Sequence, residues 1–157
     1  MGTPSEEVVG QLLRARADRG IFRSFAVRRL HGKLSFSFAW LREQPFRLVF
    51  DARRDTLEFR NLLPNLPARE PMYKDLRAFL KSRCDSALPE HRRADPTKVR
   101  LRARNRRASV SVFLESLDGD WDYAVARALK LANEIFLGFL RGPYHEYMVH
   151  NFGEPED

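Results

Sequence analysis

The chain has 157 residues and a net charge of +7, and 43% of its residues are hydrophobic, so it is long enough for one domain with a buried core. Its single cysteine, Cys84, excludes an internal disulfide and favours a reducing compartment. Residues 1–7 lack the basic and apolar blocks of a secretory leader, and no apolar run is long enough to cross a membrane. We therefore expect a cytoplasmic protein.

The first predicted element is a helix that begins with a capping box. Thr3 can cap this helix, Pro4 suits its first turn, and Glu6 can accept a hydrogen bond from the cap. Apolar residues then recur at helical spacing as far as Gly20, a residue type that often ends helices. The pattern predicts a helix from Pro4 to Arg19.

Alternation of apolar and polar residues then predicts a series of strands. The segment 21–30 is rich in β-forming residues, and Lys33–Trp40 alternates cleanly. Gln44-Pro45 is predicted to end this strand, and a new strand is predicted to begin at Phe46. Residues 53–55 are predicted to form the turn that leads into the next strand. The connections are too short for crossover helices, so we expect three or four antiparallel strands here.

The second half predicts a helix, a hairpin and a long final helix. A proline-containing connection leads into a helix from Pro71 to about Cys84. Residues 98–114 alternate around a turn predicted at Asn105-Arg106. Asp118 or Asp120 then caps a helix whose broad apolar stripe reaches Leu140. This order predicts a single α+β domain over residues 1–142, with an antiparallel sheet and helices packed on one face. A tail over residues 143–157, aromatic and then acidic, follows.

Three stretches carry a resemblance to a known family: the connection Leu62–Pro67, the hairpin Lys98–Leu114, and the acidic cap Asp118-Gly119-Asp120. With the order of elements, they resemble the YbjN-like family of small bacterial proteins and, through its fold, the class I type III secretion chaperones. The resemblance implies a dimeric binding module without catalytic residues. The strand at 21–30 and the tail at 144–157 depart from the family's pattern.

The most prominent local pattern is a run of basic residues on the predicted hairpin. We call it the basic strip, and it consists of Lys98, Arg100, Arg102, Arg104, Arg106 and Arg107. Alternation places its first four members on one strand face, where they could bind the phosphates of a nucleic acid or an acidic partner. Phe113 is the nearby aromatic residue on that face that could stack on a base. The alternative hypothesis is a solvated edge strand whose charges discourage aggregation.

A second candidate surface lies in the tail and consists of Tyr144, Tyr147, Met148 and Phe152. One layer of helices on a single sheet would not cover these residues together with the broad stripe of the final helix. Uncovered apolar area commonly marks an interface, and twofold dimers are the commonest oligomers. We therefore predict a homodimer.

No catalytic or metal-binding pattern is predicted. His145 and His150 are five residues apart, off the spacing of four that places two ligands on one helical face. Cys84 has basic neighbours, which favour a thiolate, but it stands at the end of a helix, which opposes one. Helix capping explains the acidic residues at 118–122. We expect no metal and no cofactor.

The sequence therefore favours a non-enzymatic module that binds a protein or a peptide, in a chaperone-like or regulatory role. Exposed sheet edges and apolar grooves are surfaces that bind extended segments. A nucleic-acid-binding module that uses the basic strip is the alternative, and an enzyme built from distant residues is the third possibility. We expect no membrane partner.

Overall fold

The computed structural model describes residues 2–140, apart from the side chains of residues 42–44, 139 and 140. The elements in chain order are α1 (Pro4–Asp18), β1 (Arg23–Leu30), β2 (Lys33–Trp40), β3 (Arg42–Asp51), β4 (Thr56–Leu63), α2 (Pro71–Ser82), β5 (Val99–Arg106), β6 (Ser109–Ser116) and α3 (Trp121–Ile135). A 3-10 turn at Glu90–Arg92 lies between α2 and β5, and a π-helical turn at Phe136–Leu140 follows α3.

The six strands form one antiparallel sheet in the order β1-β2-β3-β4-β6-β5. The helices pack on one face of this sheet, which confirms the predicted α+β class. Four strands precede α2, so the predicted strand at 21–30 is part of the sheet. β6 pairs with β4, and among the described residues β5 pairs only with β6, so β1 and β5 are the two edge strands of this sheet. This strand order is what positions the candidate site.

A cluster of phenylalanines fills the interface between the sheet and the helices. Phe36, Phe38, Phe46 and Phe50 are fully buried, and the ring of Phe50 meets Trp121 of α3 edge-on at 5.0 Å between centroids. Edge-to-face pairs add to the stabilisation from buried area. This contact anchors α3 on the sheet.

The opposite face of the sheet carries polar and basic side chains. Register pairs place one row across all six strands: Arg28, Ser35, Val49, Glu58, Phe113 and Arg102. Val49 and Phe113 are buried within this face but lie outside the main hydrophobic cluster. We call this the outer face.

The predicted break at Gln44-Pro45 is wrong, because β3 already begins at Arg42. Pro45 fits inside the strand for a local reason. The pairing of β2 with β3 shifts register between Phe38 and Trp40, and the pairing of β3 with β4 begins only at Leu48. At such an irregularity the missing N–H of proline does not interrupt a regular ladder.

The turn predicted at Asn105-Arg106 is also wrong, because β5 runs on to Arg106 and the loop consists of Arg107 and Ala108. Both loop residues have left-handed φ angles, 52° and 67°, as a two-residue type I′ turn requires. Asn105 is not part of the loop, but its side chain stabilises the turn through two hydrogen bonds. Its Oδ1 accepts a hydrogen bond from the Ala108 N–H, and its Nδ2 donates to the Leu66 carbonyl at 2.6 Å.

The capping box of α1 also holds the helix to the sheet. The Thr3 N–H donates to Glu6 Oε1 at 2.8 Å, the Glu6 N–H donates to Thr3 Oγ1, and Arg29 of β1 donates to Glu6 Oε2 at 3.1 Å. Glu6 is only 4% exposed. The hydrogen bond from Arg29, helped by that from Thr3, holds the pKa of Glu6 below its usual value.

This lowered pKa predicts a loss of stability in acid. The ionised Glu6 stabilises the fold above its unfolded pKa of about 4.3, and that contribution disappears as the pH falls through the lower folded value. We expect Glu6→Gln to melt at a lower temperature than wild type at pH 7, with the gap closing below about pH 4. Thermal unfolding followed by circular dichroism measures this gap, and Glu7→Gln, at the exposed neighbouring residue, is the control. A difference in melting temperature that does not depend on pH would contradict a lowered pKa of Glu6 as the source of this stability.

Arg127 ties α3 to the connection between α2 and β5. It is 6% exposed, donates from Nη1 to the Arg93 carbonyl at 2.7 Å, and lies 4.0 Å from Glu134. We expect Arg127→Met to lower the free energy of unfolding by about 2 kcal/mol, because the hydrogen bond from a buried, charged side chain to a partly buried carbonyl is lost. Urea unfolding tests this against Arg53→Met at an exposed turn. Equal losses of unfolding free energy in both variants would show that Arg127 does not hold the connection between α2 and β5 on α3.

Candidate peptide-binding edge

The structure divides the basic strip into a central row and two ends. Arg100, Arg102, Arg104 and Arg106 are exposed and alternate along the outer face of β5. Lys98 precedes the strand, and Arg107 lies in the hairpin loop at positive φ. The row therefore lies on one face of a strand, as the alternation in the sequence predicted, and the strand order makes that strand an edge of the sheet.

Lys98 forms ion pairs within the domain. Its Nζ lies 2.7 Å from Asp118 Oδ2 and 3.0 Å from Asp120 Oδ2, where Asp120 also caps α3 by accepting from the Tyr123 N–H. Hydrogen bonds to the two carboxylates raise the pKa of Lys98, and the same bonds lower the pKa of Asp118 and Asp120. Lys98 thus joins the start of β5 to α3 and is not available as a free cation.

Two arginines of the row cover the aromatic ring on their face. The guanidinium carbon of Arg102 lies 4.1 Å from the centroid of Phe113, and that of Arg104 lies 5.0 Å from it. Phe113 is only 5% exposed. Arg104 also lies 3.7 Å from Glu58, which pairs with Arg60 as well. The ring is therefore not open for stacking on a base.

The edge of β5 that faces away from β6 presents backbone groups that no strand in residues 2–140 pairs with. The two-residue loop makes Arg106 and Ser109 a hydrogen-bonded pair, and such pairs alternate along antiparallel strands. The N–H and C=O of Leu101 and Ala103 therefore point away from β6. The Val99 N–H follows this parity, because it donates to the Asp95 carbonyl, outside the sheet, at 3.0 Å. Among the described residues no strand pairs with this edge.

A groove of about 480 Å³ runs between this free edge and α2. Its apolar lining includes Leu80, Val99, Leu101, Ala103 and Leu117. Leu101 and Ala103 are half-buried and Leu117 is 41% exposed, so α2 leaves this apolar surface partly uncovered. The groove is therefore a ready surface for the side chains of an added strand.

Positive charge surrounds the groove. Arg77 and Lys81 of α2 stand on one side and Arg100 and Arg102 of β5 on the other, and no described residue that lines the groove is acidic. Arg100 lies 3.4 Å from Glu115. Within the described part of the chain, no carboxylate lies within 4.0 Å of the other three cations. The groove is thus a basic site with an apolar floor.

Sequence reasoning missed the contribution of α2. Arg77, Leu80, Lys81 and Cys84 recur at helical spacing and all line the groove. The signal was present, because Arg77 and Lys81 are four residues apart. Only the packing of α2 beside β5 shows that this face of the helix meets the basic strip.

The other edge strand, β1, is less suited to pairing. A bulge lies between Arg23 and Ala26, and Ser24 has a φ of 54°. Bulges at edges interrupt the regular row of backbone groups that an added strand needs. The regular edge of β5 is therefore the better candidate.

The remaining candidates for chemistry at the site are Cys84, which lines the groove, and the histidines. Burial, with a contribution from Asp95, raises the pKa of the Cys84 thiol, which opposes thiolate formation. No group of three His, Cys, Asp or Glu residues that could hold a metal ion occurs among the described residues. His145 and His150 lie outside them.

The predicted tail surface of Tyr144, Tyr147, Met148 and Phe152 also lies outside the described residues. The apolar stripe of α3 is largely buried against the sheet and α1 over its described length. That helix therefore leaves less uncovered surface than expected. The homodimer stays a prediction, to be measured by light scattering at micromolar concentration.

Comparisons with family models, curated proteins and solved structures found no match for this chain. The resemblance to YbjN-like proteins and to secretion chaperones therefore stays a prediction. No helix among residues 2–140 is both long and apolar enough to cross a membrane.

Proposed function

We propose that this domain is a peptide-binding module that takes an extended segment as an added strand along the free edge of β5. The observation that carries the proposal is the set of outward-facing N–H and C=O groups of Leu101 and Ala103, beside a groove with an apolar floor. Strand addition uses main-chain hydrogen bonds for affinity and side-chain pockets for specificity. A chaperone-like or regulatory role in the cytoplasm is part of the proposal.

The energetics of the edge support such binding. Leu101 and Ala103 together offer four backbone groups, and each hydrogen bond to a partner contributes about 0.5–1.5 kcal/mol net. Apolar side chains that enter the groove add about 25 cal/mol per Å² of apolar surface removed from water. Ordering the peptide opposes these gains, so moderate affinity is expected.

A nucleic-acid-binding module is the second candidate, favoured by the exposed row Arg100–Arg106. The arginines that cover Phe113 remove the stacking platform that single-strand binders use. Phosphate contacts alone would then supply the affinity and make it strongly dependent on salt.

An N-methyl scan of a bound peptide tests the proposal. A phage-displayed peptide library is selected against the full chain, and one selected peptide is resynthesised with a single N-methyl group at each position in turn. An added strand points alternate N–H groups at β5, so we expect N-methylation to abolish binding at every second position and to be tolerated between them. Fluorescence anisotropy of the labelled peptide measures this.

Two outcomes would overturn the proposal. Failure to select any peptide would do so, and so would tolerance of N-methyl groups at all positions. A labelled single-stranded oligonucleotide is run in the same assay at low salt. Binding of the oligonucleotide without binding of any peptide would replace the proposal with the second candidate.

A further inference from the structure

We infer that the segment bound at β5 alternates acidic and apolar residues, with its acidic side chains on the outer face beside Arg102. This inference rests on the proposed function and names the class of partner that the same edge recognises. It follows from the register of β5, from the two different surfaces on its two faces, and from the charge around the groove.

The outer face of β5 favours acidic side chains at alternate positions of the bound segment. Because Leu101 and Ala103 direct their backbone groups outward, an added strand forms hydrogen-bonded pairs opposite these residues and a non-hydrogen-bonded pair opposite Arg102. Side chains approach each other most closely in the latter kind of pair. Arg102 is exposed and has no carboxylate partner among the described residues, so an acidic side chain opposite it completes an ion pair.

The opposite face of β5, which borders the groove, favours apolar side chains at the positions of the bound segment that lie between the acidic ones. Partner residues opposite Leu101 and Ala103 point toward the floor of the groove, where Leu80 and Leu117 lie. Burying a polar side chain there without a hydrogen-bond partner would cost free energy. The small side chain of Ala103 leaves room for a larger one on the partner strand.

Charge also disfavours a second copy of β5 as the occupant. Antiparallel pairing of β5 with its own copy would place arginines of one chain beside arginines of the other on the outer face. Like charges directly opposite each other destabilise a strand pair. Arg77 and Lys81 add positive potential from the α2 side. The edge therefore disfavours a basic strand and favours an acidic one.

Three synthetic peptides test the inference on the unmodified full chain. Each is about eight residues long, enough to span the 8 residues of β5 at about 3.3 Å per residue. The first alternates Glu and Val, the second has the same composition in two blocks, and the third alternates Lys and Val. Fluorescence anisotropy at two salt concentrations gives the three dissociation constants.

We expect the alternating Glu–Val peptide to bind about tenfold more tightly than the block peptide, and the Lys–Val peptide to show no measurable binding. Equal binding of the alternating and block peptides would overturn the alternation, and binding of the Lys–Val peptide would overturn the charge preference. If the phage-selected peptide binds while none of the three does, this inference fails and the proposed function stands. If the phage-selected peptide also fails to bind, the proposed function fails with it.

Discussion

Arg102→Glu is expected to weaken binding of the alternating Glu–Val peptide by about 100-fold, which corresponds to about 2.7 kcal/mol. The substitution removes one of the two inner cations of the exposed row and places a carboxylate opposite the acidic position of the peptide. At a non-hydrogen-bonded pair this exchanges attraction for repulsion at the closest approach between side chains. Titration of the labelled peptide into each variant measures the change.

Arg28→Glu is the matched control for this prediction. Arg28 is also exposed on the outer face, but it belongs to β1 at the other edge of the sheet. The two variants change the net charge of the chain by the same amount. We expect less than about a threefold effect from Arg28→Glu, because salt screens charges that lie more than about 10 Å apart. Equal weakening by both variants would show that overall charge, and not the edge of β5, controls binding.

Phe50→Ala is expected to lower the free energy of unfolding by about 4 kcal/mol. Phe50 is fully buried and its ring meets Trp121 edge-on at 5.0 Å, so truncation opens a cavity between β3 and α3 and removes the aromatic contact. Urea unfolding followed by circular dichroism measures the loss. Ile21→Ala, at a residue 44% exposed, is the control and is expected to cost at most about 1 kcal/mol.

A milder variant keeps this prediction testable if the alanine variant does not fold. Phe50→Leu retains most of the apolar volume and is expected to cost about 1 kcal/mol. A cost for Phe50→Ala no larger than that of the Ile21 control would contradict the view that this aromatic contact anchors α3.

The fold could be predicted where side-chain alternation is regular. Lys33–Trp40 is both the predicted and the observed strand β2, because its apolar residues follow period two without interruption. The pattern at β1 was poor for a physical reason. The bulge near Ser24 shifts the parity of the strand, so that apolar residues before and after it no longer alternate. Pro45 misled the prediction because its tolerance depends on pairing with neighbouring strands.

The candidate site could be predicted only in part. Alternation correctly placed Arg100, Arg102 and Arg104 on one face of a strand. That β5 is an edge follows from the position of β6 beside β4, and a sequence does not state the order of strands in a sheet. The engagement of Lys98 with Asp118 likewise depends on where the start of α3 lies in space. Local patterns predicted the charges, and tertiary packing decided which of them are free.

Amide hydrogen exchange at β5, followed by NMR, measures the proposed strand addition at the atoms concerned. In the free protein the amides of Leu101 and Ala103 point to the open edge and should exchange quickly, whereas those of Arg100 and Arg102 face β6 and should exchange slowly. Saturation with the alternating Glu–Val peptide is predicted to slow exchange at Leu101 and Ala103 and to leave Arg100 and Arg102 slow. Binding of that peptide with no change at Leu101 and Ala103 would contradict strand addition at β5.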